Sequence, residues 1–188
     1  VWLTPAMDGL FTRPASERRK FLDRLVLSIG PLHGRRVVDF EKAMRGRNRL
    51  LAEESTQSQW LDAVEAQMAE LGTAIAAARM ELVTLLSNVI IKNNDPNSPF
   101  PDALLAMDGT LETAHGDMAS SDLETEYAER LRAARWSDKG AGRTLEGPHR
   151  SDWKVCHGPK GMVASLCSTG EQKALPFDDV AAFINAAL

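Results

Sequence analysis

The longest regular pattern of apolar positions lies in the middle of the chain. Nine apolar residues alternate spacings of three and four over four heptads, a period of 3.5 residues. They are Leu61, Val64, Met68, Leu71, Ile75, Ala78, Leu82, Leu85 and Val89. The pattern predicts one long helix whose narrow apolar seam faces a single partner helix. A plain helical-bundle core is the alternative that the same pattern allows.

Two further helices are predicted before this one. Ser16 is a favourable N-cap, and apolar residues recur at helical spacing after it until Gly30-Pro31. A second helix is predicted from about Gly34 to Glu54. Because it lies only a few residues before the long helix, we expect the two to pack as an antiparallel hairpin.

The rest of the chain mixes strand and helix patterns. Ala103–Leu111, Trp153–Cys156 and Met162–Leu166 are predicted strands, and Leu123–Arg135 is a predicted helix. A glycine-rich turn at residues 158–161 separates the last two strands. The fold class predicted from the whole pattern is mixed α+β.

The composition fits one folded unit in a reducing compartment. The 188 residues can bury one sizeable core, and a hydrophobic content of 44% is ordinary for a globular protein. No apolar run approaches the ~18 residues of a membrane span, and Thr4 and Asp8 interrupt any signal peptide. Cys156 and Cys167 make no disulfide framework. We therefore expect a cytoplasmic location without membrane contact.

Charge is distributed unevenly, although the net charge is only −4. Residues 13–49 hold eleven Lys and Arg against four Asp and Glu, whereas residues 50–130 hold three against fifteen. A basic stripe of this kind neutralises phosphates and binds nucleic acid in a salt-dependent way. The alternative is a solvated helix face whose arginines pair with the acidic helix that follows.

Four blocks of sequence, in this order, resemble the RecF family of ATPases, which is related to the SMC branch of ABC ATPases. They are Val1–Phe11 (VWLTPAMDGLF), Ser16–Asp23 (SERRKFLD), Gly142–Asp152 (GRTLEGPHRSD) and Cys167–Leu175 (CSTGEQKAL). A Ser-x-Gly-Glu string alone would be weak evidence, because it also suits an ordinary helix start. Four blocks in the family's order make the resemblance specific over most of the chain.

The resemblance implies a partial ABC-type ATPase head with an inserted antiparallel α-helical coiled-coil arm. It divides the chain into a lead-in (residues 1–32), the arm (33–95) and the C-terminal part of the head (96–188). The implied function is ATP-dependent DNA binding in recombinational repair and replication. The family binds single-stranded or gapped DNA and helps to load RecA with recombination mediator proteins. The alternative is a non-enzymatic coiled-coil interaction module.

The turn Ser168-Thr169-Gly170-Glu171 is the candidate nucleotide-binding element. By resemblance to the ABC signature, Ser168, Gly170 and Glu171 close on ATP held by a partner subunit, which implies an ATP-dependent homodimer. Backbone N–H groups at a helix start suit an anionic γ-phosphate, and glycine lets the backbone approach closely. Spacing alone offers the alternative of a capping box, with Ser168 as N-cap and Glu171 three residues later.

The resemblance also implies a magnesium site near the C-terminus. By match to the end of a Walker B strand, Asp178 would hold Mg²⁺ and Asp179 would position or activate the attacking water. The family has a helix and a strand between the signature turn and this point, whereas Pro176 here follows Leu175 directly. We expect omitted residues at this junction. An N-cap for a helix over residues 180–188 is the alternative role of the two aspartates.

A Gly-x-x-x-x-Gly-Lys-Ser/Thr P-loop is absent from the sequence. In the RecF family that loop precedes the segment that begins at Val1. We therefore expect this chain alone neither to bind nor to hydrolyse ATP, and we assign ATPase activity to the full-length protein.

DNA contact is assigned to the basic segment. The candidate residues are the arginines of the second predicted helix, namely Arg35, Arg36, Arg45, Arg47 and Arg49. The turn at Gly147-Pro148 exposes His149 and Arg150 as a further candidate for phosphate contact, and a hydrogen-bonded structural histidine beside a surface arginine is the alternative.

Overall fold

The computed structural model describes residues 9–53, 58–92, 102–172 and 175. Three helices occupy its first half, within a few residues of their predicted positions. They are α1 (Ala15–Val26), α2 (His33–Ala52) and α3 (Ser58–Lys92). The predicted N-cap at Ser16 is wrong, because α1 begins at Ala15 with Pro14 in the N-cap position.

α2 and α3 form the antiparallel hairpin that the sequence predicts. Arg47, near the end of α2, is ion-paired with Glu65, near the start of α3. Phe40, two turns earlier on α2, lies against Gly72, two turns later on α3. Contacts that run in opposite directions along two helices establish antiparallel packing.

The second half of the chain holds a small antiparallel sheet and three helices. The strands are β1 (Ala103–Asp108), β2 (Asp152–His157) and β3 (Met162–Val163), in the order β1-β2-β3. The connection from β1 to β2 contains α4 (Thr110–His115), α5 (Ser120–Ala133) and α6 (Arg135–Ala141). The mixed α+β fold class is confirmed.

Two of the predicted strands are shorter than the sequence suggests. The first ends at Asp108, because Gly109 is already the N-cap of α4. The last ends at Val163, where a 3₁₀ turn over Ala164–Leu166 begins. Short apolar runs do not distinguish a strand from a helical turn, which explains both errors.

α3 buries a broader face than the predicted seam. Leu61, Met68, Ile75 and Leu82 are buried as expected, but Leu85 is 37% exposed. A second row of positions is buried instead, namely Ala69, Ala76, Val83 and Ile90. Because α3 contacts α1, α4, α5 and β1 as well as α2, the narrow seam is wrong and the bundle-core alternative describes this helix.

Two hydrophobic clusters share α3. One joins the C-terminal half of α3 to α1 and the sheet, and it is centred on Leu22, Leu25, Leu82, Leu86 and Trp153. The other joins the N-terminal half to α2, α4 and α5, and it is centred on Phe40, Met68, Ile75, Leu123 and Tyr127. Arg79 lies between Ile75 and Leu82 on α3, so a polar layer separates the clusters.

By length and composition α3 could cross a membrane, a property that core helices of globular proteins share. Here it packs against five other elements of the chain. It also buries Glu65 and Arg79, and both side chains are ion-paired. These contacts identify α3 as a core helix.

Several sequence predictions lie outside the described residues. They are the first RecF-like block up to Asp8, the junction at Pro176, the magnesium-site candidates Asp178 and Asp179, and the helix over residues 180–188. These stay predictions.

Candidate nucleotide and nucleic-acid sites

The signature-like turn begins a helix. Residues 169–172 are helical, and Ser168 lies at the N-cap position. Glu171 Oε2 accepts hydrogen bonds from the backbone N–H and the hydroxyl of Ser168, both at 2.9 Å. The N–H of Glu171 is 3.4 Å from Ser168 Oγ. This arrangement is the capping box that the spacing alone predicts.

Glu171 also fixes the turn to the sheet. Lys160, in the turn before β3, donates a hydrogen bond to Glu171 Oε1, and His157 Nε2 lies 3.8 Å from that oxygen. The hydrogen bond from Lys160, followed by those from Ser168, lowers the pKa of Glu171 to about 2. The same pairing raises the pKa of Lys160. Both groups therefore stay charged at neutral pH.

The turn still leaves donors for an external anion. Among the described residues, no acceptor is paired with the N–H of Thr169 or Gly170. A Cβ added to Gly170 would meet no atom within 4 Å, and Ser168 is exposed. Open N–H groups at a helix start suit phosphate. These residues therefore fit the phosphate of a nucleotide presented from outside the chain.

The loop Gly147-Pro148-His149-Arg150 is shaped by a glycine that its packing requires. Gly147 has φ +134°, and an added Cβ would collide with the Tyr127 hydroxyl. His149 Nε2 donates to the carbonyl of Thr144 at 3.1 Å, and burial lowers the pKa of His149. His149 is therefore a neutral structural residue, whereas Arg150 is exposed.

A buried ionic layer ties this loop to α1 and α3. Arg79 donates to both carboxylate oxygens of Asp23 at 2.8 and 2.9 Å, and to the carbonyl of Pro148 at 2.7 Å. His33 Nε2 lies 2.8 Å from Asp23 Oδ1. Burial alone would raise the pKa of Asp23, but the hydrogen bonds from His33 and Arg79 hold it below its ordinary value. The layer is a structural support for the loop.

A surface cleft of about 790 Å³ opens beside the same loop. Its charged lining includes both signs, and most of these groups pair with one another. Lys154 lies 3.3 Å from Asp108, and Arg130 lies 3.0 Å from Glu146. Because four acidic side chains and three basic ones line it, the cleft does not favour a nucleotide phosphate electrostatically.

The basic residues of α2 divide between two faces. At about 100° per residue, Arg35, Lys42, Arg45 and Arg49 fall on one side of the helix. All four are exposed, and we call this surface the α2 basic face. Arg36 lies about 100° around the helix from Arg35 and is half-buried. The α2 basic face extends over ~21 Å along the helix axis.

Arg47 does not belong to this face, which corrects its assignment as a DNA contact. Its side chain is 0% exposed. The guanidinium group donates to Glu65 at 2.9 Å, to Asp138 at 2.6 Å and to the Leu131 carbonyl at 2.7 Å. It also donates to Thr144 Oγ1 at 3.0 Å. All of its nitrogens are occupied inside the protein, so none can reach a phosphate.

Comparison with known proteins decides the family. No protein-family model matches the chain. The chain is 58% identical over 175 residues to DNA replication and repair protein RecF of Mesorhizobium japonicum. The corresponding identities are 56% for Brucella abortus and 55% for Rhizobium rhizogenes. The matches cover 93% of this chain and 45–46% of the relatives. The resemblance to the RecF family is confirmed.

Solved structures show the same fold. A structure of the recombination mediator protein RecF with ATP, in the RecFOR pathway, matches with a TM-score of 0.75 and 21% identity. A second structure, of RecF-ATPrS in the same pathway, also matches with a TM-score of 0.75, at 22% identity. Both matches cover 98% of this chain and 48% of the solved chain. The chain thus spans about half the length of the RecF proteins it matches.

The metal site expected of a RecF-like protein rests on sequence alone. Asp178 and Asp179 lie outside the described residues. Within the described part of the chain, no group of three or more His, Cys, Asp or Glu side chains could hold a metal ion. The assignment of Mg²⁺ to Asp178 therefore stays a prediction.

Two basic features of this RecF-like chain escaped the sequence argument. Lys42 lies on the α2 basic face, and its spacing of seven residues from both Arg35 and Arg49 could have identified it. The second feature is α6 with the loop after it, where Lys139 and Arg143 are exposed. That segment follows the acidic stretch and lies outside both segments, residues 13–49 and 50–130, that define the uneven charge distribution.

Proposed function

We propose that this chain is a DNA-contacting part of an ATP-dependent protein of recombinational repair. Its DNA contact is the α2 basic face, and its nucleotide contact is the turn at Ser168. The single observation that carries the proposal is the 55–58% identity with RecF proteins over 93% of the chain.

The geometry of the α2 basic face supports the DNA contact. Its arginines project from one side of a helix whose opposite side is packed in the core. Two of them have intrahelical carboxylate partners, Asp39 for Arg35 and Glu41 for Arg45, both at 3.5 Å. Exposed pairs of this kind contribute at most ~1 kcal/mol and exchange readily for phosphate. The face is therefore available to a polyanion.

The turn at Ser168 supports the nucleotide contact. It places the exposed Ser168 beside the open backbone N–H groups of Thr169 and Gly170, and Gly170 leaves room for a phosphate to approach. In this proposal the turn closes on ATP held by a second subunit, and ATP would supply the phosphate charge that bridges the two. Asp178 and Asp179 are proposed for Mg²⁺ and the attacking water. We also propose that the full-length protein acts together with recombination mediator proteins and helps to load RecA.

A gapped DNA duplex tests the DNA contact directly. Arg35, Arg45 and Arg49 are changed together to Ala, and binding is measured by fluorescence anisotropy of the labelled DNA. Removal of three phosphate contacts should weaken binding by at least tenfold, because phosphate contacts dominate affinity for DNA.

The matched control removes the same charge elsewhere. Lys20, Arg24 and Lys92 are exposed basic residues outside the α2 basic face, and changing them to Ala lowers the net charge equally. The control should bind within about threefold of the unaltered chain. Equal losses in the two triple variants would show that only net charge matters and would contradict the assignment.

A further inference from the structure

Trp136 is the most exposed large hydrophobic side chain of the described residues, at 88%. It lies on α6, one helical turn from Lys139 and Gly140. A Cβ added to Gly140 would meet no atom within 4 Å. The space beside Gly140, one turn along α6 from the Trp136 ring, is therefore open. At this exposure the ring makes little packing contact with the rest of the described chain, and its faces are accessible to a ligand.

The contacts of α6 place this tryptophan near the C-terminal end of α2, the end at which the α2 basic face finishes with Arg49. Lys139 Nζ donates to the carbonyl of Glu53, just after the end of α2, at 3.3 Å. Thr144 Oγ1 donates to Asn48 Oδ1 at 2.8 Å, and Asn48 lies one turn after Arg45 on α2. We call Trp136, Lys139 and Arg143 the α6 corner. It lies at the same end of the molecule as the C-terminal end of the α2 basic face.

The surface charge of this end is positive, because most carboxylates of the described residues there are buried or paired. Asp138, the acidic residue of α6, is 1% exposed and bound to Arg47. Asp62 is paired with Arg132 at 3.1 Å and with Arg135 at 2.5 Å. The carboxylate of Glu41 faces Arg45, and that of Glu53 is exposed. The buried Arg47 pair thus removes from the surface the carboxylate that would oppose Lys139 and Arg143.

We propose that Trp136 stacks on an unpaired DNA base, so that the α6 corner extends the α2 basic face into a site for single-stranded DNA. Cations that follow the backbone, together with an aromatic ring that accepts a base, are the two elements of single-strand binding sites. In a duplex the bases are stacked inside the helix, so the Trp136 ring cannot stack on them. The inference rests on the proposed DNA-binding function and assigns contact with the unpaired strand to the α6 corner.

Trp60 provides a matched control. It is also exposed, at 64%, and lies near the same end of the molecule. Arg135 contacts Ser58 and Asp62, which flank Trp60 by two residues on α3. Trp60 therefore points about 200° around the helix from them, away from the α6 corner.

The experiment measures binding of the full chain to oligo-dT and to a blunt duplex of equal length. Trp136→Ala should weaken oligo-dT binding by roughly tenfold to a hundredfold, the cost of one lost base stack, and leave duplex binding within about twofold. Trp136→Phe should retain most of the affinity, and Trp60→Ala all of it. Tryptophan fluorescence should be quenched by oligo-dT in the unaltered chain and much less in Trp136→Phe.

The outcomes separate this inference from the proposed function. If duplex and oligo-dT both bind but Trp136→Ala binds oligo-dT as tightly as Trp60→Ala does, the stacking inference is wrong and DNA binding stands. If Trp136→Ala loses duplex and oligo-dT equally, the ring does not select unpaired bases and the inference again fails. If no DNA of either kind binds, the proposed function fails together with it.

Discussion

The buried arginine of α2 makes the strongest stability prediction. Replacing Arg47 with Ala would leave Glu65 and Asp138 without the guanidinium group that both now contact, at 2.9 and 2.6 Å. Glu65 would keep Arg135 as a partner, whereas Asp138 would keep only a hydrogen bond from the Leu145 backbone N–H at 3.0 Å. The main penalty is therefore an under-compensated carboxylate at Asp138.

The expected magnitude follows from the burial of the pair. Removing one partner of a buried ion pair costs about 3–5 kcal/mol, because the remaining charge stays out of water. For a chain of this size, 1 kcal/mol corresponds to a shift in melting temperature of about 2–4 °C. We therefore expect Arg47→Ala to melt at least ~6 °C below the unaltered chain. Arg47→Lys should recover only part of this loss, since a single ammonium group cannot serve four acceptors.

Urea unfolding followed by circular dichroism measures the difference. The matched control is Arg49→Ala, two residues further along α2 on its exposed side, which should change the free energy of unfolding by less than about 0.5 kcal/mol. Equal urea midpoints for Arg47→Ala and Arg49→Ala would refute the reasoning, and would return Arg47 to the list of surface arginines.

Three further predictions follow from the loop, the signature turn and the ionic layer. Gly147→Ala should destabilise the chain by more than ~2 kcal/mol in thermal melts, because its positive φ and the nearby Tyr127 hydroxyl both exclude a Cβ. Gly161→Ala is the control, and it should cost only ~1 kcal/mol, because Gly161 also has a positive φ but has open space around it. Lys160→Ala should raise the pKa of Glu171 above its present value of about 2, but not to the ordinary value of a Glu carboxyl, because the hydrogen bonds from Ser168 remain. NMR titration of the Glu171 carboxyl group measures this pKa. An unchanged pKa would contradict the pairing of Lys160 with Glu171. The pKa of Asp23 is lowered on folding, so the ionised carboxylate stabilises the chain above pH ~4, and this stabilisation is lost as pH falls below that value. In urea melts Asp23→Asn should therefore be less stable than the unaltered chain at neutral pH, and this difference should shrink on acidification. A deficit that stays constant from neutral to acid pH would mean that the charge of Asp23 is not involved.

The sequence predicts the helices well because their apolar spacing is local. The apolar positions of α1, α2 and α3 recur at spacings of three and four residues, and the helices lie close to their predicted positions. The width of the buried face of α3 was not predictable in this way. It depends on α5 and β1, which follow α3 in sequence and pack on positions that a two-helix seam would leave exposed.

The candidate site was predictable only where its residues act locally. The capping box at Ser168 needs only four consecutive residues, and it is present as the spacing indicates. Arg47 looks like its exposed neighbours in the sequence. Its burial depends on Glu65 and Asp138, which are 18 and 91 residues away and meet only in the folded chain. No local pattern carries that information.

The salt dependence of DNA binding tests the central claim most directly. Each phosphate contact contributes about −0.9 to the slope of log K against log salt concentration for duplex DNA. The proposed DNA contact predicts that Arg35→Gln, Arg45→Gln and Arg49→Gln each make the slope shallower by roughly that amount on gapped DNA. Arg24→Gln, on the exposed surface of α1, should leave it unchanged. Identical slopes for Arg24→Gln and the three α2 variants would show that the α2 basic face is not where this chain meets DNA.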